Sequence, residues 1–229
     1  MSKVDTIELS KYDTFLFDLY GTLFDLHTDE YCAKTWKKWL KWLDAHDIKH
    51  PNYIHMRAEF FKWDRLFRRK AQAEKKYDVP EIDVIDIYRY MFEEYGNHDL
   101  SDELIWEASY AFRSSSMEYI RLFPGAMEYL DMLHKEGKKA YLLSNAQASY
   151  TRPELKKFVL DKALDGIYIS SDYFVMKPDK AFFNIAIEDL ELDKTRTIMV
   201  GDSAENDVAG ALAAGIDAYQ IKHGDLFVI

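Results

Sequence analysis

The chain has 229 residues, enough for one large domain or two small ones with a sizeable buried core. Hydrophobic residues make up 48% and charged residues 31%, the balance of an ordinary globular protein rather than a disordered or membrane-embedded one. A formal charge of −10 repels a phosphate backbone and argues against nucleic acid as a partner, but a small anion can still bind where the local field is positive.

Met1 to Lys11 has no apolar run of signal-peptide length, and no window is long and apolar enough to span a bilayer. No membrane partner is expected, and the default location is the cytoplasm. Thr14 to Phe17 is a short unbroken apolar run, the pattern of a strand buried on both faces of a parallel sheet. Asp18 follows at its carboxyl end, the edge where open α/β sheets bind ligands. Gly21-Thr22 then allows a sharp turn.

From about His27 to Ser115 the pattern changes to helical and aromatic, and all five tryptophans lie here. Cys32, the one cysteine, excludes an intrachain disulfide and is expected to pack within the first helix of this segment. Ala33, Trp36, Leu40 and Leu43 share one helical face. Tyr53, Met56, Phe60, Trp63 and Phe67 define a second helix. Ile82, Ile85, Phe92 and Tyr95 define a third, and Ser101 is the expected N-cap of a fourth that turns Leu104, Ala108 and Phe112 inward. Such a segment inside an α/β chain makes a separate small domain joined by two linker strands.

Pro124-Gly125-Ala126 starts a helix that Gly137 stops. Lys139 to Ser144 is a second buried strand, ending in Ser144-Asn145, with a helix expected to enter at Pro153. Gly166 to Ser170 is a third strand. Lys177-Pro178 precedes a helix carrying Phe182, Ala186 and Leu190. Thr197 to Gly201 is a fourth strand and ends at Asp202. A small-residue helix from Ala204 to Ala214 is closed by Gly215, and Ala218 to Ile221 is a last short strand. The alternation predicts a parallel sheet with right-handed crossovers. Asp18, Ser144, Lys177 and the Asp202–Asp207 pair then converge on one sheet edge. Carboxylates suit Mg²⁺, which takes one or two of them plus substrate phosphate, and an ammonium balances phosphoryl charge.

In order and spacing these stretches resemble the haloacid dehalogenase-like hydrolases. Phe17-Asp18-Leu-Tyr20-Gly21-Thr22-Leu23 resembles that superfamily's first motif, Leu143-Ser144-Asn145 the second, Lys177-Pro178-Asp179 the third, and Gly201-Asp202-Ser203-Ala-Glu-Asn206-Asp207 the fourth. The resemblance implies a Rossmann-like α/β core over residues 1–26 and 116–229, with an inserted all-helical cap domain over 27–115. It implies that Asp18 is the nucleophile, in a catalytic set with Tyr20, Thr22 and Lys177. Mg²⁺ would be held by Asp18, the Tyr20 carbonyl and Asp202, with Asp207 in support. Ser144, Asn145 and Lys177 would bind the phosphoryl oxygens of a small phosphorylated metabolite. A monomer or homodimer is expected.

One position departs from the phosphatase pattern. Phosphatases of the superfamily usually place a second Asp two residues after the nucleophile, where this chain has Tyr20. General acid–base catalysis is worth about 10²–10⁴-fold, so a substitute is sought among Asp25, His27, Asp29 and Glu30, with Glu30 and Asp29 ranked first. Tyr20 itself resembles the metal-free 2-haloacid dehalogenases. These typically lack the carboxylate kept here as Asp202, and tend to carry Tyr where this chain has Phe183. Both latter features favour a metal-dependent phosphatase. A third reading is a binding protein that kept the phosphate pocket but lost catalysis.

Overall fold

Thr14–Phe17 forms β1, buried along its whole length, and takes the centre of a five-stranded parallel sheet. The computed structural model describes residues 7–222 and 227. Of the amino-terminal stretch expected to lack a leader, residues 1–6 lie outside the described part, as do 223–226 and 228–229 at the end of the expected core segment. After β1 come β2 (Phe24–Thr28) and four helices: α1 (Ala33–Asp44), α2 (Tyr53–Glu74), α3 (Val84–Glu94) and α4 (Asp102–Ser116). β3 (Met117–Leu122), α5 (Ala126–Lys135), β4 (Lys139–Ser144), α6 (Ala148–Lys157) and α7 (Leu160–Ala163) follow. β5 (Gly166–Ile169), α8 (Ser170–Tyr173), α9 (Lys180–Asp189), β6 (Thr197–Gly201), α10 (Gly210–Ala214) and β7 (Asp217–Gln220) complete the order.

The sheet runs β5-β4-β1-β6-β7, and every neighbouring pair is parallel. This is the expected Rossmann-like arrangement. β1 alternates its side chains between two cores, as the strand period requires. Phe15 and Phe17 pack with Tyr129, Leu130, Leu133 and Leu155 on one face. Leu16 packs with Leu143, Met199, Phe182 and Phe183 on the other.

β2 and β3 form a separate antiparallel ribbon, and α1–α4 hang from it. The expected segment limits at 26/27 and 115/116 fall inside β2 and at the last residue of α4. The four helices share their own core of Trp36, Trp39, Phe60, Tyr88, Phe92 and Phe112. Trp36 and Trp39 are fully buried, and their ring N–H groups donate to the Glu30 and Ala108 carbonyls, both at 2.8 Å. These rings are packing elements with satisfied donors. Among the described residues no helix is long and apolar enough to cross a membrane.

Three local expectations need correction. Cys32 is not in α1 but caps it, its sulfur accepting from Lys34 N, because the chain is still extended there. Ile82 lies ahead of α3, which begins only after the Asp83 side chain caps Ile85 N. The helix expected to enter at Pro153 starts at Ala148, with Pro153 inside it. Residues 148–151 are all buried, so tertiary packing holds the first turn and overrides the usual preference of proline for the first helical position.

Candidate active site

Asp18 leaves the sheet at its middle, its N–H held by the Val200 carbonyl at 2.9 Å. β4 delivers Ser144 on one side and β6 delivers Asp202 on the other. Lys177 comes from the loop between α8 and α9. It is buried, and its Nζ donates to Asp18 Oδ1 at 2.7 Å, Asp207 Oδ1 at 2.6 Å and the Leu143 carbonyl at 2.7 Å. Ser144 Oγ donates to the same Asp18 oxygen at 3.3 Å. Asp207 is fixed at its other oxygen by Ser203 N, at 2.9 Å.

Two glycines make room for these carboxylates. A Cβ on Gly21, at φ +89°, would lie 2.5 Å from Asp202 Oδ2, and one on Gly201 would lie 2.2 Å from Asp207 Cγ. Neither position tolerates a side chain without moving a carboxylate.

Burial pushes the Asp18 carboxyl up to about 6: Lys177 opposes the shift, and the Asp207 and Asp202 charges add to it. Burial works to lower the Lys177 ammonium, but Asp18 and Asp207 outweigh it and hold the ammonium above its ordinary value. One carboxylate oxygen from each of Asp18, Asp202 and Asp207 lies within 4.8 Å of the others. An all-oxygen donor set of three carboxylates fits a hard divalent cation. Asp18, Tyr20, Asn145, Lys177, Asp202 and Asp207 line a common cavity of about 240 Å³.

Other sequence-predicted residues have different surroundings. The Asn145 amide is engaged at both ends with the Lys177 main chain, Nδ2 to O and N to Oδ1 at 2.8 Å each, so its side chain splints the loop that carries the lysine. Thr22 Oγ1 is buried and has no hydrogen-bond partner among the described residues. The Tyr20 phenol donates to Glu154 Oε2 at 2.5 Å and meets Thr151 Oγ1 at 3.0 Å. Burial, then the Glu154 charge, pushes that phenol far above its ordinary range. Asp25 pairs with Arg121, Asp29 caps Tyr31 N and Cys32 N, and His27 faces Glu118. Glu30 lies 3.9 Å from Arg113 and lines a second cavity, of about 310 Å³, between insert and core.

Sequence reasoning missed the group that receives Tyr20. Glu154 Oε1 accepts from Arg113 Nε of α4 at 2.8 Å, and the guanidinium stands over the Tyr20 and Tyr150 rings. Glu154 is 0% exposed and Arg113 7%, so this is a buried ion pair between insert and core. The available signal was Arg113 itself, a charge on the helix face that buries Ser109, Phe112 and Ser116. Tyr20→Phe should cost about 1–3 kcal/mol, because Glu154 Oε2 loses its donor. It should leave turnover within about threefold of wild type, since a phenol directed at Glu154 contributes no proton at Asp18. Urea midpoints and a turnover assay on the same preparation check both halves.

A Rossmann-like sheet with a helical insert after its first strand, and a carboxylate centred on its carboxyl edge, sets the chain among α/β enzymes that bind ligands at that edge. A family model described as haloacid dehalogenase-like hydrolase matches residues 12–215. The chain belongs to the haloacid dehalogenase-like hydrolases. Phosphatases are among its relatives. A phosphoglycolate phosphatase of Agrobacterium fabrum is 24% identical over 209 residues, covering 91% of this chain and 80% of that protein. A pyrimidine 5'-nucleotidase of Escherichia coli is 31% identical over 107 residues, 46% of this chain and 47% of that enzyme. The chain spans about half the length of several curated relatives it matches. Among solved structures, a 2-haloacid dehalogenase from Pseudomonas syringae superposes with a TM-score of 0.63 at 21% identity, over 91% of this chain and 86% of that one. A phosphatase of the same superfamily from Thermococcus onnurineus gives 0.54 at 21%, over 92% and 86%. At these identities the structural likeness speaks for the fold alone.

Proposed function

We propose that this hydrolase is a Mg²⁺-dependent phosphatase of a small phosphorylated metabolite, with Asp18 as nucleophile. The observation that carries the reading is the convergence of Asp18, Lys177, Asp202 and Asp207 in one cavity. Asp18 and Asp202, with the Tyr20 carbonyl, would hold the cation, and Asp207 would support them. When bound, the cation supplies charge neutralisation between an anionic nucleophile and an anionic ester.

The chain's own residues do the rest. An Asp18 oxygen attacks phosphorus, the bond to the leaving oxygen breaks, and an aspartyl-phosphate forms. Water then attacks that phosphorus and restores the carboxylate. The Lys177 ammonium and the Ser144 hydroxyl, both already directed at the nucleophilic oxygen, stabilise the charge on the transferring group. The insert selects the substrate.

The leaving-group proton must come from elsewhere, because Tyr20 is occupied with Glu154. Asp25 and Asp29 are committed to Arg121 and to main-chain N–H groups. Glu30 remains. It lines the neighbouring cavity rather than that of Asp18, and burial pushes its carboxyl up, the direction a proton donor at neutral pH needs, so the comparison of two esters decides whether its proton reaches the leaving group. With Mg²⁺, wild type should hydrolyse both p-nitrophenyl phosphate and an alkyl phosphate, and EDTA should stop both. Glu30→Gln should slow the alkyl ester by about 10²-fold or more and the aryl ester by less than about threefold, since nitrophenolate leaves without a proton. Equal slowing of both esters would remove Glu30 from this role. Halide release from 2-chloropropionate that survives EDTA would favour the dehalogenase reading instead.

A further inference from the structure

The connector between α2 and α3 does not stay within the insert. Residues 78–84 lie against two core loops, the one that follows Ser144 and the one that carries Lys177. Pro80 forms an antiparallel bridge with Val175. On either side of it, Met176 N donates to the Val79 carbonyl at 2.9 Å, and Glu81 N donates to the Phe174 carbonyl at 3.0 Å. Asp179 closes the same contact from beyond the lysine. Its Oδ2 accepts from Asp78 N at 2.7 Å and Val79 N at 3.2 Å, while its Oδ1 accepts from Ala181 N at 2.9 Å and caps α9.

The connector also reaches the loop after Ser144. Gln147 accepts from Val84 N at 2.8 Å and donates to the Ile82 carbonyl at 2.9 Å. The buried Glu81 carboxylate accepts from Ser170 Oγ at 3.1 Å, and Ser170 Oγ accepts from Ala146 N at 2.9 Å. Lys177 is therefore flanked by the connector at Met176 and Asp179, and by Asn145 at its own main chain.

We propose that Asp179 is a positioning residue that, with connector 78–84, sets the place of the Lys177 ammonium; its catalytic consequence rests on the phosphatase reading above. The physical argument is one of tolerance. Lys177 Nζ meets three acceptors at 2.6–2.7 Å, so a loop shift of about 1 Å breaks the set. Nothing covalent between Phe174 and Asp179 prevents such a shift. The hydrogen bonds from Asn145 on one side and from the insert on the other do. The insert thus contributes to the phosphoryl site itself, besides whatever it contributes to substrate choice.

The test uses the full chain and two variants, Asp179→Asn and Asp179→Ser. Both residue types cap helices well, so α9 keeps its cap and urea midpoints should stay near wild type. Neither variant can present one anionic oxygen to two N–H donors while the other oxygen caps α9. Two readouts need no turnover. Amide exchange should rise together at 78–79 and 176–177. Labelling of Lys177 by a water-soluble amine reagent, read by mass spectrometry against exposed Lys139, should rise at least about tenfold as the ammonium leaves its acceptors. Where esters are hydrolysed, kcat should fall by about 10–10²-fold. Unchanged Lys177 labelling in both variants overturns the proposal, whatever happens to activity. Increased labelling in a protein whose wild type hydrolyses no ester supports the positioning role and removes the phosphatase reading instead.

Discussion

Asp18→Asn should abolish ester hydrolysis, with a loss of at least about 10⁴-fold in kcat and little change in folding, as measured with p-nitrophenyl phosphate and by circular dichroism. Losses of this size accompany removal of a nucleophile whose partners act as a unit. The amide is nearly isosteric with the carboxylate but is a poor nucleophile, and it brings N–H donors toward an ammonium that needs acceptors. Lys177 would keep Asp207 and the Leu143 carbonyl, so the loop has reason to stay in place. The substitution also removes one of three clustered carboxylates, so thermal stabilisation by added Mg²⁺ should shrink alongside activity. Retained turnover in Asp18→Asn would sink the covalent route. Lost turnover with full Mg²⁺ stabilisation would separate the chemistry from the cation site.

The second large effect concerns stability. Arg113→Met should destabilise the protein by about 3–5 kcal/mol, and Glu154→Gln by a comparable amount. Each removes the close partner of a buried charge, with Arg113 keeping only Glu30 at 3.9 Å. The ring contacts add to the first cost, because the guanidinium also packs on Tyr20 and Tyr150. The double variant should recover part of the loss, since two neutral groups of similar volume avoid the desolvation penalty altogether. A double-mutant cycle on urea midpoints reads the coupling directly. Additive losses would mean the two charges do not sense each other, which is incompatible with a 2.8 Å contact at such burial.

The placement of the clustered carboxylates was legible in the sequence because chemistry and burial coincide there. A strand covered on both faces has to be a continuous apolar run, so Thr14–Phe17 and Thr197–Gly201 announce themselves, and the polar residue that ends each run is at the ligand-binding edge. Lys177 was legible only through the order of the four motifs. Nothing local distinguishes it from a surface lysine before a turn. The destination of the Tyr20 phenol was not legible, because Arg113 and Glu154 lie on different helices and neither position in isolation says what it faces. Glu81 and Gln147 were missed for a related reason. Gln147 serves main-chain groups of a distant segment, which leave no trace in residue identity, and Glu81 accepts from its neighbour Ile82 N and from the distant Ser170 hydroxyl, a partner its sequence position does not announce.

The β2–β3 ribbon bears on how the chain folds. β1 finds its partners far along the sequence, Thr14 opposite Lys139 and Thr197. Contacts at that separation carry a large loop-closure cost and slow the search. The insert's aromatic core, by contrast, is assembled almost wholly from residues that lie between the two ribbon strands. Once it forms, Asp29 N sits against the Ser116 carbonyl at 2.8 Å and Phe24 opposite Leu122, so the long excursion is already closed. β4 then lies a short helical crossover away from β1 rather than a whole domain away. The helical insert is thereby placed to act as the nucleus on which the parallel sheet is drawn together. Substitutions at Trp36 or Phe112 should slow refolding of the entire chain, while those at Met199 should mainly hasten unfolding.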